Sequence, residues 1–348
     1  MQSLRSRGTL YTVQSMSLAQ VGTAALVAVA LIFDFLNGFH DSANIVATMI
    51  SSRAMGPRRA LLLSAIAHFS APFLFGVAVA TTIGKDVVSP QTIGVSVVVA
   101  ALLSAIVWNL VTWFFGLPSS SSHALLGGIV GAVTVAGGLS EIHGDGVLKV
   151  VASLVVSPVL GLASGYLLMK LALFLVRGAS PRVNWLFRRG QLLTAVALAL
   201  SHGTNDAQKT MGIITMGLVA GGFLREFAVP VWVIALSAAA ISLGTALGGW
   251  RIIRTLGAGL YRLRAVDGFV SQASSAGVIL AAALVGGPVS TTQVVSSSIM
   301  GTGSAQRVSK VRWGVAVDIL TAWLLTMPVS AVGAALLYFP LEWVLGGV

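Results

Sequence analysis

The 348-residue chain has no cysteine, four tyrosines and only ten acidic residues. Lacking thiolates, it can form neither a disulfide nor a cysteine-ligated metal centre. Charged residues make up 9% of the sequence, whereas a soluble domain carries roughly a quarter, so an ordinary water-facing surface is excluded. Hydrocarbon takes its place: 56% of residues are hydrophobic and mean hydropathy is +0.93. Apolar stretches at 58–83, 92–116, 147–176, 229–250, 268–286 and 313–338 are long enough to cross a ~30 Å hydrocarbon core. Interrupted ones lie at 18–53, 118–139, 190–222 and 288–303. Such lengths, without two-residue alternation, predict helices rather than a barrel, because lipid requires each segment to satisfy its own backbone. The fold class expected is an all-α polytopic membrane protein.

A net charge of +11 invites a nucleic-acid reading, but the placement of the charge excludes it. Fourteen of the 21 basic residues fall in four connectors: Arg53, Arg58, Arg59; Arg177, Arg182, Arg188, Arg189; Arg251, Arg254, Arg262, Arg264; and Arg307, Lys310, Arg312. Asp267, at one border, is the single acid there, and the intervening connectors hold Asp86, Glu141, Asp145 and Glu226. This alternation follows the positive-inside rule. It puts the four basic connectors in the cytoplasm and both termini outside a plasma (inner) membrane, with Arg5 and Arg7 running against the pattern. The stretch around Arg251–Arg264 reads as a cytoplasmic surface helix.

The chain also resembles itself. Asn37-Gly38-Phe39-His40-Asp41-Ser42-Ala43-Asn44 overlays His202-Gly203-Thr204-Asn205-Asp206-Ala207-Gln208-Lys209 without a gap. Pro118-Ser119-Ser120-Ser121-Ser122-His123 overlays Pro288-Val289-Ser290-Thr291-Thr292-Gln293. With the charge pattern, the copies run in opposite directions, as in transporters built from inverted-topology repeats. The division expected is an N-terminal tail 1–17, a first inverted repeat 18–176, a basic linker 177–189, a second inverted repeat 190–340 and a tail 341–348. Each Asp motif is expected to break its helix near mid-membrane, and each Ser/Thr motif to tip a re-entrant hairpin.

The two motif pairs carry opposite chemistry. An ionisable group at that depth costs at least ~2.5–3.5 kcal/mol on insertion scales, so Asp41 and Asp206 need compensation. With amide oxygens of Asn37, Asn44 and Asn205 they make a hard-oxygen set for Na⁺, Mg²⁺ or Ca²⁺, or for a proton; Asp41, Asn44 and Asp206 are the ligands if a metal ion binds. A plainer reading has these carboxylates cap half-helices and pair with Lys209 or an arginine. A glycine and proline followed by hydroxyl residues mark a helix N-terminus, and such ends bind anions. Two of them, facing each other, would surround a tetrahedral oxyanion with amides and the side chains of Ser120, Ser121, Ser122, Ser290, Thr291, Thr292 and Gln293, with Asn44 and Lys209 alongside. The plainer reading here is hydrogen bonding within helix interfaces.

An intramembrane serine hydrolase is disfavoured, because the adjacent Ser122 and His123 point about 100° apart on a helix and make a poor nucleophile–base pair. A passive anion channel leaves two buried carboxylates unexplained. His68 has only Ser64 and Ser70 near it in sequence and reads as structural. Gly127-x-x-x-Gly131 permits close helix approach, within the chain or between copies.

Together N-G-F-H-D-S-A-N, S-H-G-T-N-D-A-Q-K, G-L-P-S-S-S-S-H and G-G-P-V-S-T-T-Q resemble the inorganic phosphate transporter (PiT) family, a likeness that extends through G-G-W-R-I-I-R-T-L-G at 248–257 and A-W-L-L-T-M-P at 322–328. The resemblance implies a non-enzymatic symporter for orthophosphate, driven by Na⁺ or H⁺, without a cofactor and often a homodimer; some relatives carry sulfate. It also implies that the serine-rich motifs bind phosphate. Sodium-driven members typically read N-D-x-x-N in both Asp motifs, whereas here His40 precedes Asp41 and the second motif ends in Gln208-Lys209. Both departures resemble the bacterial low-affinity branch, regarded as proton-coupled and accepting metal-phosphate complexes. Lys209 is then expected to replace one cation, with protons passing through some of Asp34, His40, Asp41 and Asp318.

Overall fold

A computed structural model describes residues 18–82, 94–142 and 144–345. The tail 1–17 with Arg5 and Arg7, and Asp86 in its connector, lie outside the described residues. Every regular element described is a helix: α1 (Leu18–Ser51), α2 (Pro57–Phe75), α3 (Ala78–Thr81), α4 (Val95–Phe115), α5 (Ser121–Ala136), α6 (Gly144–Leu175), α7 (Val183–Ala220), α8 (Val231–Leu247), α9 (Trp250–Arg254), α10 (Ala265–Leu284), α11 (Thr291–Gln306) and α12 (Trp313–Leu345). Among them α1, α4, α6, α10 and α12 are each long and apolar enough to cross a membrane, and α8 with α9 forms a sixth candidate span bent by 58°. Leu167, Leu171 and Phe174 of α6 and Leu324, Val332 and Leu336 of α12 are exposed, as side chains facing hydrocarbon should be.

Local chemistry sets the ends that matter. Gly116 and Gly286 both take left-handed backbone, φ 71° each, which L side chains disfavour; each turns the chain two residues before a proline. Ser120 and Ser290 follow in extended conformation and cap α5 and α11, their hydroxyls accepting from the amides of His123 and Gln293, 3.3 Å each. The segments 118–120 and 286–290 are buried. Each hairpin, α4 with α5 and α10 with α11, therefore turns back inside the protein.

Packing is reciprocal between the halves. Helix α6 lies on α11 as α12 lies on α5, and α8 lies on α1 as α2 lies on α7. Small residues allow the close contacts: a methyl group on Gly127 or Gly131 would meet the backbone of Met327 or Ala331 in α12, and one on Gly161 or Gly165 would meet Val294 or Ser298 in α11. The Gly127/Gly131 spacing is thus used within the chain.

Three expectations are corrected. Neither Asp motif breaks its helix: α1 runs unbroken through Asn37–Asn44 and α7 through His202–Lys209. Partners on the same helices, Lys209 for Asp206 and His40 for Asp41, are joined by Thr291 and Thr292 from α11, so no backbone need unwind. The breaks lie instead at Gly76–Val77 and Gly248–Gly249. Secondly, α7 begins at Val183, inside the stretch read as the linker 177–189, and α12 continues past 340 to Leu345. Thirdly, the Arg251–Arg264 stretch is not a simple surface helix, since Ile252, Ile253, Leu256 and Leu260 are buried where α9 and the π-helical turn after it pack on α1.

Candidate anion and cation site

A regular helix puts residues three, four and seven apart on one face. On α1 that face carries Asp34, Asn37, Asp41 and Asn44; on α7 it carries His202, Asn205, Asp206 and Lys209. All eight side chains are buried, and α1 packs directly on α7. The α5 and α11 N-termini close over the same place, where Ser290 Oγ donates to Ser120 Oγ at 2.7 Å.

Two networks link the tips to the helix faces. Thr292 Oγ1 donates to Asp41 Oδ1 (3.1 Å) and accepts from Asn44 Nδ2 (3.0 Å). On the other side Lys209 Nζ donates to Asp206 Oδ1, to Ser122 Oγ (2.6 Å) and to the Val289 carbonyl (3.0 Å), while Thr291 Oγ1 donates to Asp206 Oδ2 (2.9 Å). The pairs Thr292–Asn44 and Ser122–Lys209 occupy matching positions of the two sequence repeats. The ammonium–carboxylate pair compensates two buried charges, either of which would be costly alone.

Both caps satisfy only the third amide of their helices, so the amides of Ser121, Ser122, Thr291 and Thr292 have no partner inside α5 or α11. Around them Ser121 Oγ and Gln293 Oε1 are buried without a hydrogen-bond partner. The junction therefore offers amides and hydroxyls to an anion, with one fixed ammonium beside them.

Oxygen donors dominate the α1–α7 side. Ligand atoms of Asp41, His202 and Asp206 lie within 4.8 Å of one another, and Oδ1 of Asn37, Asn44 and Asn205 have no hydrogen-bond partner. Asn205 Nδ2 donates to the Gly287 carbonyl at 3.2 Å, which ties α7 to the second tip. Asp34 is fully buried beside Thr210 and Ser237, and neither of its carboxyl oxygens has a partner of good geometry. His40 Nδ1 lies 2.8 Å from Asp41 Oδ1, and its Nε2 faces Thr112 and Ser119 at 3.4 Å each.

Most residues singled out from the sequence converge here; two do not. Asp318 is exposed on α12, off the stripe of Ala316, Ile319, Ala322, Trp323 and Thr326 that the helix buries. Gln208 leaves the site: its Oε1 accepts from the amides of Val79 (2.8 Å) and Ala80 (3.2 Å) and its Nε2 donates to the Gly76 carbonyl (2.6 Å). It fills the backbone gap where α2 ends and α3 begins. Gln208→Ala is accordingly expected to lower stability by about 1–3 kcal/mol through unsatisfied backbone groups; a fall in the thermal unfolding midpoint of the purified protein checks this.

Two residues were missed. His202 lies 3.2 Å from Asp206 Oδ2 and 4.0 Å from Asp41 Oδ2, between the two carboxylates. His68, read as structural, stacks on it with ring centroids 5.0 Å apart, its Nε2 3.1 Å from His202 Nδ1 and its Nδ1 2.9 Å from Thr245 Oγ1. The repeat alignment did contain a signal for His202, which occupies the position of Asn37; nothing near His68 in sequence marks it.

The chain is similar to known proteins along nearly its whole length. A curated relative from Bacillus subtilis (strain 168), "Probable low-affinity inorganic phosphate transporter", is 42% identical over 331 residues, spanning 94% of this chain and 99% of its own. One of the same name from Rhizobium meliloti (strain 1021) is 46% identical over 316 residues, 90% of this chain and 95% of its own. The solved structure "The sodium-dependent phosphate transporter" superposes with a TM-score of 0.84 at 26% identity, over 93% of this chain and 100% of its own. The model of the Phosphate transporter family matches residues 37–334, from the first polar helix face through both hairpin tips, and the chain belongs to that family.

Proposed function

We propose that the protein is a symporter that imports inorganic phosphate, with phosphate held between the α5 and α11 tips and the coupling cation at the α1–α7 faces. The observation that carries this reading is the junction of two capped helix N-termini, Ser120 against Ser290 at 2.7 Å, directly beside Asp41, Asp206 and Lys209. Phosphate would take the free amides of both tips together with Ser120, Ser121, Ser122, Ser290, Thr291, Thr292 and Gln293. The names of the bacterial relatives support phosphate as the cargo. The reciprocal packing of the halves supports two inverted repeats, 18–176 and 190–340, that exchange access by rocking about this junction.

Proton coupling is the reading favoured for the driving ion. Lys209 fills with its own ammonium the position that Asn44 holds in the first copy, and it donates to Asp206. One cation is thereby built into the protein. His40, Asp41, His202 and Asp34 remain as groups able to take up and release a proton. The sodium-dependent name of the solved neighbour supports the alternative, Na⁺ bound by Asp41, Asn44 and Asp206. Orientation follows the basic connectors: they face the cytoplasm, the termini face outward, and the assembly is a homodimer in the plasma membrane.

The test is radiolabelled phosphate uptake into proteoliposomes under an imposed pH gradient or an imposed Na⁺ gradient, with excess sulfate as competitor. Uptake driven by inward H⁺ and indifferent to Na⁺ and sulfate is expected. A requirement for Na⁺ would overturn the coupling assignment; sulfate uptake would overturn the substrate; stimulation by Mg²⁺ in proportion to the metal-phosphate complex would identify that complex as the transported species.

A further inference from the structure

Below the transport site, at the C-terminal end of α1, lies a cleft of about 540 Å³ lined by Arg53, Arg188, Arg262 and Arg264. A second cleft, of about 730 Å³, shares Arg262 and Arg264 and adds Arg307 and Lys310. Asp267 serves part of this charge, lying 3.6 Å from Arg264 and 3.3 Å from Lys310. Among the described residues no carboxylate lies within 4 Å of Arg53, Arg188 or Arg262, and all three are exposed. The 38-residue helix α7 opens on the same cleft through Asn184 and Trp185, and no side chain caps its N-terminus. Uncompensated guanidinium groups gathered around a cavity repel one another, and the positive end of α7 adds to the field. An anion placed there relieves both.

The cleft is separate from the transport site yet continuous with the helices that build it. Its inner wall is a buried polar layer: Ser52 Oγ donates to Gln191 Oε1 (2.8 Å), and Gln191 Nε2 donates to the Ala265 carbonyl (3.0 Å). A second glutamine lies behind it, Gln272 Nε2 donating to Thr48 Oγ1 (2.8 Å) and its Oε1 accepting from Thr194 (2.7 Å). Asn44 is two turns of α1 from Ser51, roughly 11 Å along the axis at 1.5 Å per residue. With the tips read as the phosphate site, an anion leaving them along α1 would reach the arginines past these two glutamines.

We propose that the arginine cleft is a second binding site, for a phosphate-bearing anion. Planar guanidinium forks suit phosphate oxygens, and this chemistry is common to free phosphate and to a phospholipid headgroup. The placement of the cleft on the exit route rests on reading the tips as the phosphate site; the cleft's own chemistry does not.

The experiment measures binding of radiolabelled inorganic phosphate to the purified full-length protein across a salt titration, and counts phosphatidylglycerol molecules retained in native mass spectra. It compares wild type, R188Q/R262Q and T292A. Wild type is expected to show two classes of phosphate site. R188Q/R262Q should lose at least tenfold in affinity at the salt-sensitive class alone and keep uptake in phosphatidylcholine vesicles, and T292A should lose the other class. Loss of one retained phosphatidylglycerol with phosphate binding unchanged assigns the cleft to a lipid headgroup. R53Q/R262Q is read in the same way should the first double variant not purify. If these variants bind both probes as wild type does, the proposal is overturned; a wild type that takes up no phosphate at all would overturn the transport reading instead.

Discussion

Lys209→Asn is expected to abolish phosphate uptake driven by a pH gradient and to replace it with uptake that requires Na⁺. The substitution turns Asn205-Asp206-Ala207-Gln208-Lys209 into the N-D-x-x-N pattern and removes the ammonium that donates to Asp206, Ser122 and the Val289 carbonyl. A vacated cation position beside an anionic carboxylate should then be filled from solution. The loss at neutral pH without Na⁺ should reach two orders of magnitude, about 2.8 kcal/mol at 1.4 kcal/mol per decade. Unchanged phosphate affinity and unchanged cation dependence would show that Lys209 plays no part in coupling.

Stability measurements separate charge balance from function at the same pair. Lys209→Met leaves the Asp206 carboxylate buried without its partner, which costs about 3–5 kcal/mol, whereas removing both charges is often close to neutral. The purified D206N/K209M protein should therefore unfold near the wild-type temperature and K209M well below it, with neither transporting phosphate. Should the double variant unfold as early as K209M, the pair would be contributing through its hydrogen bonds to the second tip rather than through charge compensation.

The second large effect lies in the contact of α1 with α8. A methyl group on Gly38 would stand 2.0 Å from the Ile241 carbonyl oxygen, and one on Gly244 would stand 1.9 Å from that of Phe35. These neighbours are backbone, so no side chain can turn aside, and two helices must separate along a shared face. Gly38→Ala and Gly244→Ala are each expected to destabilise by about 3 kcal/mol, the upper end for overpacking, and Gly244→Val to yield no folded protein. Because Gly38 adjoins Asn37 and lies one turn from Asp41, surviving Gly38→Ala protein should also bind phosphate more weakly. Gly277 is the control: nothing lies within 4 Å of its added methyl, so Gly277→Ala should stabilise α10 by roughly 0.5–1 kcal/mol. Detergent-resistant folded fraction after heating reads all four.

Both predictions depend on features of very different visibility. The scarcity of charge and the lengths of the apolar stretches specified the helices, since a ~30 Å hydrocarbon core tolerates little else. Several observed ends fall within a few residues of the expected ones, as with 229–250 against Val231–Leu247, whereas α12 runs on to Leu345 and the stretch 58–83 is broken after Phe75. The hairpin tips were equally legible: glycine, proline and serine set a turn and a cap through local chemistry, and Ser120 and Ser290 cap α5 and α11 accordingly. Repetition within the chain singled out Asp41 and Asp206, because a costly buried carboxylate that recurs in register is hard to attribute to chance.

What only the tertiary structure decided is where each polar group finds its partner. An isolated apolar α1 carrying Asn, His, Asp and Asn along its length is expected to unwind there; in the folded chain Thr292, 251 residues from Asp41, meets the carboxylate, and the helix is whole. His68 and His202, 134 residues apart, become a stacked pair that no local pattern foretells. Gln208 and Lys209 are neighbours in sequence, yet a helix turns successive side chains by about 100°, and one joins the anion site while the other fills the α2–α3 break. Local sequence fixes conformation because backbone propensities and solvent act residue by residue. Charge compensation is partly local, since Lys209 and Asp206 pair within α7, but the hydroxyls that complete it, Ser122 on Lys209 and Thr292 on Asp41, arrive only once the halves are packed together.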